Sequence, residues 1–501
     1  MAKPRPRLEK LTLDKDLDKV TLAEEASLQV MKKWRGLGFG FVFIVLTMVF
    51  AATYVTGEPG APIAIAAAAI AGYMAMNIGA NDVTNNVGAA VGARAISMVT
   101  ALLIAAVFEI AGALIAGREV VSTIESGILD VAAMPAGGAI IWVMMAALIS
   151  SAAFINIATY SGAPVSTTHS IIGGIMGAGV AAAGLHAVQW WSLAGITASW
   201  TVSPVLGGVF AALLLAFIKE FIIYRDDKIV AVRTWMPVLI ATMFGAFTAY
   251  IVAVAVDRII PVSLPAALAI GLAAGILVYY VSRPIIFRQS EGLDNRNQSL
   301  RKMFHVPLIF SAALLSFAHG ANDVSNAIGP LSAIVAAINK LPVTDVSQVP
   351  FWVILIGALG ISTGLLLFGP RLIKVVGEEI TKLNPMRAFC VAMSTAVTVL
   401  VASAMGIPIS STHTAVGAVF GVGFFREWYT RNSKRRLDYV RNRTGHTDFM
   451  EPVENNFDEV RRRHLVRRSH FLTIVGAWVI TLPASAALAA VVYLVLSAIF
   501  M

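Results

Sequence analysis

Nine apolar runs of about 20 residues each limit this chain to folds that cross a membrane. They lie near 38–56, 61–80, 96–116, 191–218, 236–256, 264–282, 303–320, 351–369 and 471–499. A helix needs about 20 apolar residues to cross the hydrocarbon core, and a spanning backbone must satisfy its own hydrogen bonds. Only 13% of the 501 residues are charged, about half the usual fraction in soluble proteins. The sequence therefore predicts an all-α polytopic membrane protein.

The charged residues and the single cysteine exclude several other classes. Cys390 is the only cysteine, so no internal disulfide or thiolate metal cluster can form. The net charge of +9 comes from Lys and Arg in the loops that flank the apolar runs. That distribution is typical of cytoplasmic membrane flanks, and we therefore expect no nucleic-acid partner.

Two motifs occur twice, in the same order. Gly79–Asn86 and His319–Asn326 share the sequence Gly-Ala-Asn-Asp-Val, and Gly162–His169 and Gly406–His413 share a Pro-x-Ser-(Ser/Thr)-Thr-His core. His169 follows Asn81 by 88 positions, and His413 follows Asn322 by 91. Recurrence at nearly equal spacing indicates an internal duplication.

Each Pro-Ser/Thr motif interrupts an apolar run. Residues 138–160 continue as 165–184, and residues 388–405 continue as 407–425. Proline at 164 or 408 removes a backbone donor and disfavours helix in the preceding residue. We therefore predict two re-entrant helical hairpins, 138–184 and 388–425, each with its tip inside the membrane.

Loop charges predict the orientation of the chain. Lys and Arg concentrate in 219–235, 283–302, 370–387 and 426–470. The positive-inside rule places these loops and the N-terminus in the cytoplasm. The C-terminus and the cation-poor loops 57–60 and 118–137 are then outside. The two motif copies then run in opposite directions, an inverted repeat typical of secondary transporters, and the two hairpin tips can converge on the midplane. The cell inner (plasma) membrane is the expected location.

These assignments divide the chain into six parts. They are a cytoplasmic N-terminal tail (1–37), a first transmembrane half (38–225), an extra transmembrane pair (226–302), a second inverted repeat (303–425), a basic cytoplasmic loop (426–470) and a final transmembrane helix (471–501).

The hairpin tips are candidate anion sites. Each places three hydroxyls beside a helix N-terminus, where unpaired N–H groups and the helix dipole attract an anion. The six residues are Ser166, Thr167, Thr168, Ser410, Ser411 and Thr412. The alternative role of these hydroxyls is helix capping and interhelical hydrogen bonding.

The Asn-Asp motifs are candidate cation sites. An intramembrane carboxylate is costly without a partner, and carboxylate, amide and unwound backbone oxygens suit sodium better than a transition metal. The predicted ligands are Asn81, Asp82, Asn85, Asn322, Asp323 and Asn326, with Asp82 and Asp323 as the metal ligands if sodium is carried. The alternative is capping of helix ends at the membrane surface. At about 4 Å and an effective dielectric of about 20, a carboxylate repels an anion by about 4 kcal/mol. The anion should therefore bind well only when a cation neutralises the carboxylate.

Three further residues are predicted to support the site. Glu109 lies within an apolar span, where an acid is a site candidate by default. His169 and His413 follow the two hydroxyl triplets and can bind an oxyanion, relay protons or orient the tips. His319 is replaced by Ile78 in the first copy, so we expect it to be less important.

At these residues the chain resembles the inorganic phosphate transporter (PiT) family of cation–phosphate symporters. The resemblance rests on the two Gly-Ala-Asn-Asp-Val motifs and the two hairpin motifs, and covers about 61–220 and 303–499. It implies an inverted-repeat core, often dimeric, with cations at the Asn-Asp pairs and phosphate at the hydroxyl triplets. Glu109 matches a glutamate that many members have in both halves, but the second half of this chain lacks it.

The expected function is import of inorganic phosphate by symport with a cation, sodium in preference to a proton. A permease for sulfate or another tetrahedral oxyanion is the alternative. A passive anion channel fits the buried acids less well, and no nucleophile–base–orienter set indicates an enzyme. We expect no cofactor beyond the co-transported ion, and phosphate, membrane lipids and a second copy of the chain as partners.

Overall fold

The computed structural model describes residues 36–135, 138–161, 165–339, 349–379, 383–436, 438–439 and 468–501. Within this part of the chain the regular structure is helical, apart from one isolated bridge between Leu129 and Val188. The predicted all-α fold is confirmed. Residues 162–164 of the first hairpin and most of the predicted tail and basic loop lie outside the described residues.

Sixteen helices organise the described residues. The first half contains α1 (Gly36–Val55), α2 (Ala61–Gly92), α3 (Met98–Ala116), α4 (Arg118–Ser126), α5 (Ala139–Ser161), α6 (Thr167–Ala183) and α7 (Trp190–Ile218). Between the halves lie α8 (Lys228–Ile251), α9 (Leu264–Ser290) and α10 (Asn297–Met303). The second half contains α11 (His305–Asp323), α12 (Ser325–Ile338), α13 (Phe351–Glu379), α14 (Pro385–Ala404), α15 (Ser411–Asn432) and α16 (Arg468–Phe500).

Ten of the described helices are long and apolar enough to cross a membrane, and the bent pair formed by α10 and α11–α12 raises the number to 11. These segments are the nine predicted spans together with α5 and α14, the first arms of the predicted hairpins. The chain is therefore a multi-pass membrane protein. That the hairpins enter and leave on one side remains a prediction.

The two halves pack against each other through equivalent contacts. α2 packs on α13 and α3 on α11, while α6 packs on α16 and α15 on α7. A Cβ atom on Gly79 would lie 1.9 Å from the carbonyl oxygen of Ile361, and one on Gly320 would lie 2.1 Å from that of Glu109. Only glycine permits these crossings, and their equivalence shows that Ile361 is the counterpart of Glu109.

The hairpin glycines have the packing role expected of small residues in membrane helices. A Cβ atom on Gly177 of α6 would lie 2.1 Å from the carbonyl oxygen of Ala486 on α16, and one on Gly421 of α15 would lie 2.1 Å from that of Gly208 on α7. Each second hairpin arm is therefore held tightly against a long membrane helix.

The prediction that a span ends at the Asn-Asp pair is wrong for the first repeat. α2 continues past Asp82 to Gly92. In the second repeat only Val324 separates α11 from α12, and its angles (φ −58°, ψ −33°) are helical. Unwound backbone carbonyls are therefore not available beside Asp82. Side chains of the hairpin tips satisfy the carboxylates instead, so the backbone has no need to open.

The predicted outer loop 118–137 contains the amphipathic helix α4, which packs on α12. The hydroxyl of Thr123 donates to the carbonyl oxygen of Gly406, at the second hairpin tip, at 2.6 Å. Glu125 is buried and accepts a hydrogen bond from Ser332 at 3.2 Å. Burial raises the pKa of Glu125 to about 7, and the Ser332 hydrogen bond opposes this rise only weakly.

Candidate functional site

Two serines fix the start of the second arm of each hairpin. Ser166 caps α6 by accepting from the backbone N–H of His169 at 3.2 Å, and Ser410 caps α15 by accepting from that of His413 at 3.1 Å. The capping explanation considered for the hydroxyl triplets therefore holds for these two serines. The first-turn N–H groups after each cap have no intrahelical acceptor.

The two hairpin tips meet in the interior. The hydroxyl of Thr168 donates to the carbonyl oxygen of Ile409 at 3.2 Å. The imidazole rings of His169 and His413 meet edge to face with their centroids 4.4 Å apart, and His169 also lies on Trp200. The sequence-based expectation that the two inverted tips converge agrees with these contacts.

Asp82 is completely buried and lies at the contact between the two halves. Its Oδ1 accepts from the amides of Asn81 (3.0 Å) and Asn85 (3.2 Å) and from the hydroxyl of Thr412 (2.7 Å). Its Oδ2 accepts from Thr167 at 3.2 Å. One acid of the first repeat is therefore hydrogen-bonded to both hairpin tips.

Asp323 has an equivalent but less extensive set of contacts. Its Oδ2 accepts from Ser411 at 2.7 Å. We orient the Asn322 amide so that it donates to Asp323 Oδ1 (3.1 Å) and to the carbonyl oxygen of Ile409 (2.9 Å), because this satisfies both ends of the amide. Asn81 makes the same two kinds of contact, to its own acid and to a hairpin carbonyl.

One amide side chain of each Asn-Asp motif donates to the hairpin of the opposite repeat. Asn85 donates to Thr412 at 2.9 Å, and Asn326 donates to Thr168 at 3.2 Å. These contacts obey the pseudo-symmetry of the repeats. All six predicted cation-site residues and four of the six predicted anion-site residues consequently join one polar cluster at the centre of the fold. The other two, Ser166 and Ser410, cap the helices beside it.

His319 was underestimated from the sequence, because it lies at the centre of this cluster. Its Nε2 is 3.0 Å from Asp323 Oδ2 and 3.7 Å from Asp82 Oδ2, and its Nδ1 is 3.0 Å from Glu109 Oε1. Glu109 also accepts from Asn86 at 2.6 Å. All five side chains are buried, so His319 links the acids of the two repeats to Glu109.

A signal for this pair was present in the sequence. Glu109 and His319 are each polar residues without a polar counterpart in the other half, where Ile361 and Ile78 stand. The two crossings are equivalent, so the two unmatched residues belong to the same crossing, where His319 Nδ1 lies 3.0 Å from Glu109 Oε1. One crossing therefore carries an acid–imidazole pair where the other buries two isoleucines.

The electrostatics of the cluster favour a bound cation. One potential ligand atom from each of Asp82, His319 and Asp323 lies within 4.8 Å of the others. Two ionised carboxylates at that separation repel each other by about 3.5 kcal/mol at an effective dielectric of about 20. Asn86 Oδ1 and Asn326 Oδ1 are buried without a hydrogen-bond partner among the described residues, and both are oxygen ligands of the kind that sodium accepts.

The hydroxyls of the tips are largely engaged by the protein. Thr167, Ser411 and Thr412 donate to carboxylates and Thr168 donates to a backbone carbonyl. In this conformation an oxyanion at the tips would therefore be bound chiefly by first-turn backbone N–H groups. The hydroxyls therefore serve the acids, and their remaining lone pairs are oxygen ligands of the kind that a cation accepts.

Comparison with known proteins identifies the family. The profile of the phosphate transporter family matches residues 78–489. The chain belongs to this family. It is 42% identical to a Helicobacter pylori (strain J99) protein named "Putative phosphate permease", over 94% of this chain and 97% of that protein. A protein of the same name from Haemophilus influenzae is 34% identical, over 85% and 95% of the two chains.

A solved structure described as "The sodium-dependent phosphate transporter" shares the fold. It has a TM-score of 0.76 and 34% sequence identity, and the match covers 88% of this chain and 100% of that chain. The resemblance drawn from the duplicated motifs is thereby confirmed. Family and fold are those of a phosphate transporter.

Proposed function

We propose that this phosphate transporter family member imports inorganic phosphate by symport with sodium. The observation that carries the proposal is the meeting of Asp82 and Asp323, from opposite repeats, with the N-termini of α6 and α15. Negative charge at the centre of the fold would exclude an anion, and a cation at the acids removes this barrier.

The coupling follows from the distances within the cluster. Thr167 and Thr412 belong to the hairpin tips and contact Asp82 directly, so a phosphate bound at the first-turn N–H groups lies close to the carboxylates. At about 4 Å and an effective dielectric of about 20 the repulsion would be about 4 kcal/mol, a factor of roughly a thousand in affinity. Sodium bound between Asp82 and Asp323 converts this repulsion into attraction.

Sodium is the proposed ion because oxygen ligands surround the acids. Amide oxygens of Asn86 and Asn326 and the hydroxyls of the tips complete a hard-cation environment. A proton is the alternative coupling ion, since His319 could carry it between Glu109 and the two aspartates. The neighbour described as sodium-dependent supports sodium.

The proposal also includes orientation and assembly. The positive-inside distribution supports a cytoplasmic N-terminus in the inner membrane, and the homodimer is proposed from the family resemblance. Glu58 and Glu291 are both exposed, in the predicted outer loop 57–60 and the predicted inner loop 283–302. An impermeant thiol reagent added outside should label Glu58→Cys but not Glu291→Cys, and the opposite pattern would reverse the orientation. The parent chain, whose cysteine Cys390 is buried, gives the background labelling.

Uptake of labelled phosphate into proteoliposomes tests the transport mechanism. Sodium and proton gradients are imposed separately, and sulfate is added as a competitor in excess. We expect uptake to follow the sodium gradient and to resist sulfate. Uptake driven only by the proton gradient would replace sodium by protons, competition by sulfate would broaden the substrate, and uptake indifferent to both gradients would contradict symport.

A further inference from the structure

A group of positively charged side chains lies at the end of the second hairpin that is far from the buried acids. Lys219 continues α7 in a π-helical turn and is only 7% exposed. Its ammonium lies over the rings of Tyr429 (4.2 Å to the centroid) and Phe425 (5.5 Å). Among the described residues it forms no ion pair with a carboxylate.

The charged side chains that act on Lys219 are themselves cations. Arg387, at the start of α14, Arg426, on α15, and Arg436 all repel its ammonium. Arg387 is repelled in turn by Arg426 and by Arg301. A buried ammonium that faces guanidinium groups is costly unless an anion joins them.

Two acids act on these cations: Glu427 attracts Arg426, and Glu220 is already engaged. Glu220 follows Lys219 in the chain, but it pairs with Arg435 and accepts from the hydroxyl of Tyr429 at 3.2 Å. The Glu220 carboxylate therefore neutralises Arg435, and the ammonium of Lys219 contacts only aromatic rings among these groups. Arg387 uses its Nε on the side chain of Asn384 at 3.1 Å, which leaves its two terminal nitrogens as donors. Converging ammonium and guanidinium donors are the chemistry that binds a phosphate group.

We propose that Lys219, Arg387 and Arg426 bind a phosphate group at the base of the second hairpin. The group comes either from the headgroup of an acidic phospholipid or from free inorganic phosphate. The predicted orientation places the site at the cytoplasmic surface, where anionic lipids concentrate. Because α7 belongs to the first half and α14–α15 to the second, the bound group joins the two halves.

Binding at this site affects the packing of the hairpin. α15 rests on α7 through glycine contacts, with a Cβ atom on Gly417 placed 2.2 Å from the carbonyl oxygen of Pro204. Repulsion among the cations at the end of the two helices opposes this contact. A phosphate group removes the repulsion and keeps the base of the hairpin against α7.

The test measures binding to the full chain in detergent by native mass spectrometry and calorimetry. One arm uses phosphatidylglycerol, with phosphatidylcholine as the reference, and the other uses inorganic phosphate. The variants are Lys219→Gln, the charge-preserving Lys219→Arg, and the matched control Arg288→Gln, which removes an exposed cation from α9. Arg426→Gln replaces Lys219→Gln if that variant does not fold.

We expect Lys219→Gln to weaken binding about tenfold, as loss of a charged hydrogen-bond donor does, while Lys219→Arg and Arg288→Gln bind as the parent chain does. A loss confined to phosphatidylglycerol assigns the site to lipid, and a loss confined to inorganic phosphate assigns it to the free ion. Equal binding by Lys219→Gln and Arg288→Gln in both arms overturns the proposal. So does a loss in Lys219→Arg as large as that in Lys219→Gln.

Discussion

Replacing Asp323 with asparagine tests the claim that a cation is needed because two carboxylates meet. The substitution keeps the shape of the side chain and its contact with Ser411, but it removes one of two charges that lie within 4.8 Å of each other. A sodium ion at a comparable distance from the removed charge loses about 3.5 kcal/mol of attraction at an effective dielectric of about 20. This energy corresponds to a factor of about 300 in cation affinity at about 1.4 kcal/mol per decade.

The assay is phosphate uptake into proteoliposomes at a series of sodium concentrations. We expect Asp323→Asn to raise the half-saturating sodium concentration by about two orders of magnitude or more, and Asp82→Asn to do the same. Both variants should still insert, because asparagine keeps most of the hydrogen bonds. Glu125→Gln is the matched control, since it removes a buried carboxylate from α4, outside the cluster.

The outcome that refutes the reasoning is specific. If both aspartate variants keep the parent dependence on sodium, the cation does not bind between the repeats and the site assignment is wrong. If one variant alone is impaired, the acids act separately, and their proximity is not the source of coupling.

Three further predictions concern other contacts of the structure. Glu109→Gln and His319→Gln should each slow uptake. The double variant should be no slower than the slower of the two single variants, because one hydrogen bond joins the pair. Additive losses would contradict this prediction. Glu125 has a native pKa of about 7, above its ordinary value of 4.5, so the folded chain keeps a proton that the unfolded chain releases. Stability measured by thermal unfolding should therefore fall by about 3 kcal/mol as pH rises from about 4.5 to about 7 and then level off, and Glu125→Gln should remove that loss. Gly320→Ala should cost more than about 3 kcal/mol of stability, since its Cβ would overlap a carbonyl oxygen, whereas Gly92→Ala meets nothing within 4 Å and should be neutral by thermal melting.

The sequence predicted those features that depend on one segment or on the duplication. Apolar length predicted the spans, and the repeated Pro-Ser/Thr motifs predicted the two helix pairs on either side of Ser166 and Ser410. The inverted order predicted that the tips would meet, as Thr168 and Ile409 do. Each of these inferences needs only local chemistry and a count of membrane crossings.

Other features depend on packing between distant segments and were not predictable in this way. Asp82 lies within a continuous helix, and one of the donors to its carboxylate is Thr412, 330 residues away. A motif rich in Asn and Asp is typical of a helix end when that partner is unknown. The helix α4 was missed for a similar reason, since its nine residues are stabilised by burial against α12 and by the contact of Thr123 with Gly406.

The unequal crossings bear directly on how many cations would accompany each phosphate in the proposed symport. Glycine contacts make the two crossings equivalent, yet only one carries Glu109 and His319, and the other buries Ile361 and Ile78. With Asp82, Asp323 and Glu109 ionised, an imidazolium at His319 leaves two negative charges, and a neutral ring leaves three. Under the proposed symport, the ring therefore decides how many cations neutralise the site. The number of charges moved per phosphate, measured in the parent chain and in His319→Gln, distinguishes a charged ring from a neutral one. Only a ring that is charged during transport changes this number when it is removed.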